Sequence, residues 1–361
     1  MTTIRSAVCV RCPPRWLMLR VETDDGEVGW GEAIGDLHQE VEQALNAIGE
    51  RVEGSPIHDI AHLIEIQRKN RFWRDGPVLE TALSALEMAL WDLKGKLLGA
   101  PIHDLLGGRV RERVRVYRNL WGRNPDEFAD SAKEAISNSM TAVKVSPAGP
   151  TPDVISRVQL DEMEAVVSAV RDAVGPAVDL AIDLHGRLTP AASRRAIHAL
   201  SKYDPFFIEE PCLPDGSASH LADLRALRTA QPVSIATGER LRSAHAFAEH
   251  LLPSPVIDII QPDVSMVGGI RASVEIGAMA SAAQVAMAPH CPYGPVQFAA
   301  SMQVAATSPA HLIQEFQSLG GAGSGGGTPG GGQNWAFELL SQPFAIESGH
   351  VEISSRPGLG I

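Results

Sequence analysis

The chain has 361 residues, 44% of them hydrophobic and 20% charged, with a formal net charge of −12. A chain of this length buries roughly 75% of its unfolded surface and divides naturally into one large domain and a smaller one. The negative balance argues against nucleic acid and anionic membranes as partners, and neither an 18-residue apolar run nor a signal-peptide core is present.

The first 22 residues carry two β-like runs, IRSAVCV and WLMLRVET, separated by Cys12-Pro13-Pro14-Arg15. Cys9 and Cys12 form a C-x-x-C, but no second pair follows at zinc spacing, so the four cysteines read as ordinary thiols of a cytoplasmic protein. DDGEVGWGE (24–32) adds a turn and a third strand, giving an antiparallel meander. From Leu37 to Leu98 the pattern is helical, most clearly at Leu83, Leu86, Leu90, Leu93 and Leu97, and Gly99 with Pro101 ends it. Residues 1–113 are therefore expected to form an α+β capping domain.

VRVYRNLW (114–121) and TAVKVS (141–146) then read as parallel strands, with Lys144 near the end of the second. Between the second and third strands, residues 161–175 form an amphipathic helix closed by Gly175-Pro176. The third strand, VDLAIDLHGR (178–187), ends in Asp183 and His185, which a strand would point to one face. The same form recurs: PFFIEEP ends in Glu209 and Glu210, PVSIATGE in Glu239, VIDIIQPD in Asp263, VAMAPH in His290 and HLIQE in Glu315. Each interval fits one strand plus one helix. Functional groups at successive strand ends mark a (β/α)7β TIM-type barrel over residues 114–335. GGAGSGGGTPGGG (320–332) is too rich in glycine for a helix and reads as a flexible loop. The tail, 336–361, contains a hairpin expected to pack back on the capping domain.

Asp183, Glu209 and Glu239 lie on three consecutive strand ends. Three converging carboxylates repel unless a cation sits between them, and an all-oxygen set favours Mg²⁺. Asp263 can hold His290 in one tautomer and raise its basicity, which describes a general base. His185, beside the metal carboxylate, is placed to give a proton to a leaving group.

These pieces, with PPRW, VETDDGEVGWGE, GPVLETALSALEMALWDLKGK, IDLHGR, FIEEP, GER, QPDVS, APHCPYGP and PGLG, resemble the enolase superfamily, mandelate racemase subgroup, and within it the D-galactonate dehydratases most. The resemblance implies one Mg²⁺ per subunit on Asp183, Glu209 and Glu239. It implies abstraction of the C2 proton of a sugar acid by His290 with Asp263, and protonation of the C3 hydroxyl by His185. Glu315 would then bond a substrate carboxylate oxygen, either protonated or very tightly held. Arg15 and Trp16 would form a lid, and Lys144, Arg187 and Glu210 would contact substrate. The family also implies a homo-oligomer, commonly an octamer. One departure bears on the reaction: a racemase carries a second lysine where this chain has Ser146, and a serine cannot act as a base near neutral pH. Another reaction of the same superfamily, or a non-catalytic sugar-acid-binding barrel, are the alternatives.

Overall fold

The computed structural model describes residues 2–13, 16–214, 218–230, 232–316 and 339–361; Arg15 and the glycine-rich stretch 320–332 lie outside these. The chain opens with the antiparallel meander β1 (Ile4–Cys12), β2 (Trp16–Thr23) and β3 (Val28–Ala33). Helices α1 (His38–Val52), α2 (Ile60–Lys69), α3 (Pro77–Leu98) and α4 (Ile102–Leu105) follow. Pro77 stands in the first turn of α3, where its missing N–H is not needed, and Gly99 closes the helix in a left-handed conformation. Leu83, Leu86, Leu90 and Leu93 are buried, but so are Ala82, Ala85, Met88 and Ala89. α3 is therefore enclosed on several sides: it packs on β3, on α1 and α2, and on barrel helix α10 (Ile270–Ala282). At Gly31 the strand meets the helix backbone, where a Cβ would overlap the carbonyl of Ala85; only glycine permits that approach.

The second part is a closed ring of eight parallel strands: β4 (Arg113–Asn119), β5 (Ala142–Val145), β6 (Asp179–Asp183), β7 (Ile208–Glu209), β8 (Ile235–Thr237), β9 (Ile259–Ile260), β10 (Ala286–Met287) and β11 (Gln314–Phe316). β11 pairs with β4 and Met287 bridges His311, which closes the circle. Helices α5 (Pro125–Ser137), α6 (Arg157–Val174), α7 (Pro190–Leu200), α8 (Ala218–Ala230), α9 (Ala244–Leu251), α10 and α11 (Pro295–Thr307) fill the seven intervals. This is the (β/α)7β barrel expected from the strand-end pattern. Tyr117, Ala142, Ala181, Phe207, Ala236, Ile259, Ala288 and Ile313 form one buried apolar cluster, contributed by the barrel strands or the residues flanking them.

Local chemistry moves some element ends. α6 starts four residues before the amphipathic pattern at 161. There the Ser156 side chain accepts from the Gln159 N–H while the Gln159 side chain accepts from the Ser156 N–H, a reciprocal cap that stabilises a helix start by about 1 kcal/mol.

The tail divides its contacts. β12 (Ile346–Glu347) and β13 (His350–Glu352) form a hairpin, and β13 pairs antiparallel with Arg113–Arg115 of β4. The hairpin thus covers the part of β4 that precedes its barrel partners, an edge otherwise open to water. The last residues return to the capping helices: Gly358 donates to the Ala100 carbonyl and accepts from the Ile102 N–H, and the Leu359 N–H donates to Asp92 Oδ1 at 2.9 Å.

Candidate active site

The strand ends of the barrel open into a cavity of about 760 Å³. Asp183, His185, Glu239, Asp263, His290, Glu315, Lys144 and Arg187 all line it. A second cleft of about 770 Å³ lies between the capping helices and α9–α10. Three of its arginines are already committed, Arg68 to Glu80, Arg242 to Asp75 and Arg271 to Glu275. The barrel mouth differs because its charges are not balanced.

β6 stops at Asp183, so strand alternation does not deliver His185. A left-handed turn does, with His185 at φ 52° and Gly186 at φ 64°. The turn is held by the Asp183 carboxylate, which accepts the His185 N–H at 2.7 Å, and it brings His185 Nε2 to 3.1 Å from Asp183 Oδ2. Glu209 ends β7. Glu239 follows β8 across Gly238, and Asp263 and His290 lie three residues beyond β9 and β10.

Asp183, Glu209 and Glu239 each offer an oxygen, all within 4.8 Å of one another. Lys144 reaches into this group. Its ammonium donates to both oxygens of Glu209 at 2.8 Å and lies 3.1 Å from Glu315 and 3.7 Å from Asp183. Burial disfavours this charge, but Glu209 and Glu315 hold Lys144 protonated well above the lysine range. Arg240 pairs with Glu239 at 2.5 Å and Glu210 at 2.6 Å. Five carboxylates, counting Glu210 and Glu315, thus gather around Lys144 and Arg240. Burial, followed by the repulsion of Glu210, Asp183 and Glu209, pushes Glu239 up to about 8. Burial likewise raises Asp183 and Glu209. An all-oxygen set with surplus negative charge fits a hard divalent cation.

His290 Nδ1 is 2.8 Å from Asp263 Oδ2, and its Nε2 is 3.4 Å from Glu239. Burial disfavours the imidazolium, yet Glu239, Glu315 and Asp263 together raise His290 to about 10. Glu315 is held ionised rather than protonated. Burial opposes its charge, but Lys144 and His290, with hydrogen bonds from Asn119 at 2.7 Å and the Cys291 N–H at 2.6 Å, bring it down to about 2. His185 is lowered to about 4, first by burial and then by Lys144 and Arg187. Arg187 lines the cavity and donates to the Ala148 carbonyl.

Two expected substrate contacts sit elsewhere. Glu210 is buried and does not line the cavity. It follows Glu209 directly and takes a left-handed turn, φ 43°, and its oxygens accept from Thr237, the Gly238 N–H and Arg240. It builds the turn that presents Glu239. Trp16 is buried in the core shared by the capping domain and barrel, not over the mouth. Conversely, the cavity uses residues not singled out from the sequence. Asn119, at the end of β4, obeys the same strand-end rule and could have been found by it. Trp121, Phe128, Asp36 and Tyr293 also line it, and Tyr293 Oη donates to Asp36 Oδ2 at 2.9 Å across the domain boundary. Nothing in the sequence announces that pair.

The chain matches the enolase C-terminal domain-like family over residues 127–361 and the mandelate racemase / muconate lactonizing enzyme N-terminal domain over residues 3–107. It is 36% identical to the D-gluconate dehydratase of Thermoproteus tenax, an alignment covering 96% of this chain and 68% of that one. It is 35% identical to the D-galactonate dehydratase of Variovorax paradoxus, covering 97% and 89% respectively. The crystal structure of a mandelate racemase/muconate lactonizing enzyme from a Sulfitobacter species superposes with a TM-score of 0.87 at 30% identity, covering all of this chain and 93% of that one. No described helix is long and apolar enough to cross a membrane.

Proposed function

We propose that this chain, which belongs to the mandelate racemase / muconate lactonizing enzyme family of the enolase superfamily, is a Mg²⁺-dependent lyase that dehydrates an aldonate, D-galactonate first and D-gluconate next. One observation carries the reading. Two members of a carboxylate triad, a His–Asp pair and a second histidine line the same cavity, and the third member, Glu209, offers its oxygen within 4.8 Å of the other two.

Asp183, Glu209 and Glu239 would hold the metal. When bound there, Mg²⁺ supplies the positive charge that makes a proton beside a carboxylate removable. Asp263 accepts from Nδ1 of His290 and so leaves Nε2 to take the C2 proton. Charge neutralised at Glu239 lowers His290 toward the range of a working base. His185 gives a proton to the C3 hydroxyl as the C3–O bond breaks and water leaves. An anionic substrate beside Lys144 offsets one of the causes that hold His185 low. The resulting enol becomes a 2-keto-3-deoxy acid. Lys144 and Asn119, both bound to Glu315, hold that carboxylate ionised and in place beside the substrate. Ser146, at the cavity wall, offers no second base for racemisation. The same reading carries a cytoplasmic homo-oligomer, an octamer by family resemblance.

The test is a panel of aldonic and aldaric acids assayed for 2-keto acid formation, with Mg²⁺ and after chelation. Turnover of an aldonate that chelation abolishes and Mg²⁺ restores is the expected result. The two histidines separate on a substrate with fluoride in place of the C3 hydroxyl, which needs little protonation to depart. His290→Asn should lose both fluoride elimination and exchange of the C2 proton with solvent deuterium. His185→Asn should keep both while losing normal dehydration. Equal failure of the two variants on the fluoro substrate would overturn the division of roles.

A further inference from the structure

The pair Asp263–His290 is gripped from behind by residues that no step above uses. Asp263 is fully buried. Its Oδ2 faces His290 Nδ1, and its Oδ1 accepts from the Ser265 N–H and from Gln297 Nε2, each at 2.7 Å. Gln297 is also fully buried, in the first turn of α11. The orientation of its amide is forced. The Tyr293 N–H can only donate and meets Gln297 Oε1 at 3.0 Å, so the NH₂ group must face Asp263. One side chain thus ties the loop after His290 to the carboxylate that orients the His290 ring.

Gln297 is itself held from the other domain. Glu32, buried at the end of β3, accepts the N–H groups of Val296 and Gln297 at 3.1 and 2.9 Å through one oxygen, Oε2. A carboxylate there satisfies orphan donors of the helix start and complements its dipole. The approach is possible because residue 294 is glycine; a Cβ there would overlap the Glu32 carboxylate. A run of contacts therefore passes from the capping domain to the ring that takes the proton: Glu32, the start of α11, Gln297, Asp263, His290.

We infer that Gln297 is a positioning residue for the Asp263–His290 pair, and that Glu32 sets Gln297 in place from the capping domain. The inference rests on His290 being the base. Outer partners of this kind, when removed, ordinarily cost about 10- to 100-fold in activity.

The experiment uses the full-length Mg²⁺-loaded enzyme and its best aldonate. Gln297→Met keeps the volume and removes both the donor and the acceptor. It should lower kcat per folded site and C2-proton exchange together by about 10- to 100-fold, with KM and Mg²⁺ affinity close to wild type and a thermal midpoint lowered by the stranded Tyr293 N–H. A merely structural role would move the midpoint alone and leave kcat and exchange per folded site intact. Glu32→Ala should lower kcat in the same sense. The double variant should be no worse than the poorer single one, because both act through one carboxylate. Should Gln297→Met fail to fold, Gln297→Glu, which replaces the donor with a group that repels Asp263, is expected to show the same loss. Proton NMR of the metal-free protein gives a readout without turnover. The downfield signal of the His290 Nδ1 hydrogen bond, present in wild type and absent in His290→Asn, should broaden or vanish in Gln297→Met. Wild-type kcat and exchange in a folded Gln297→Met, an unchanged NMR signal, or additive losses in the double variant each overturn the inference. If His290→Asn still exchanges the C2 proton, the assignment of the base fails instead, and the NMR signal still reports whether Gln297 orders the ring.

Discussion

Two sets of buried acids can be compared directly. In the capping domain and at its seam with the barrel lie Glu32, Glu87 and Asp92; at the barrel mouth lie Asp183, Glu209 and Glu239. The seam acids each have donors of their own. Glu87 accepts the Ile270 and Arg271 N–H groups at the start of α10, at 2.7 and 3.0 Å, and Trp91 Nε1 at 2.8 Å. Asp92 accepts from the N–H groups of Trp30 and Leu359 and from Lys96. The mouth acids instead crowd one another around Lys144 and Arg240. Burial alone therefore does not mark a functional acid. What marks it is whether the protein supplies the donors or leaves the charge to be met from outside.

The largest effect that could break this comparison is at Glu239. Glu239→Gln should reduce turnover at least about 100-fold, yet the metal-free protein should unfold at the same temperature or higher, because repulsion is relieved. A metal-free midpoint several degrees below wild type, measured by calorimetry, would place Glu239 with the seam acids.

Next in size is Glu87→Ala. It strands one buried donor, the Ile270 N–H, at about 1–3 kcal/mol, and two part-buried donors that water can partly satisfy, so the midpoint should fall by a few degrees while kcat per folded enzyme stays within about twofold. Loss of kcat without loss of stability would blur the two regions.

The smallest effect is a pH dependence. Burial raises Glu87 from 4.5 to about 7 against the pull of the Arg271 and Ile270 N–H groups. Between those values the folded state binds the proton better than the unfolded one. Its contribution to stability is therefore present below pH 4.5 and is lost as pH rises through 7. The Mg²⁺-loaded wild type should lose stability relative to Glu87→Gln across that window, by at most about 1.4 kcal/mol per pH unit. Parallel curves for the two proteins would show that Glu87 does not titrate there.

The mouth was legible in the sequence because a barrel strand is an apolar run and its functional residue is the polar group that ends it. Asp183, Glu209, Glu239, Asp263, His290 and Glu315 could be read that way, one strand at a time. The rule fails one residue further on, since Glu210 carries the same signal as Glu209 and only the left-handed turn sends it to Gly238. It also fails for His185, which reaches the mouth by a turn rather than by alternation. The seam was not legible. Glu32 sits in a strand and Gln297 in an apolar helix, and each acquires its meaning from a partner 265 residues away. Local patterns carry no record of such a distance.

The return of the tail to the capping helices has a consequence in time. Asp92 receives the Leu359 N–H, a donor made 267 residues later. At ordinary rates of synthesis that is a delay on the order of tens of seconds. During it the first domain emerges from the ribosome with a buried acid still short of one partner. The domain made first is thus the one finished last, and a nascent chain cut short before residue 359 carries that defect whatever else it has folded.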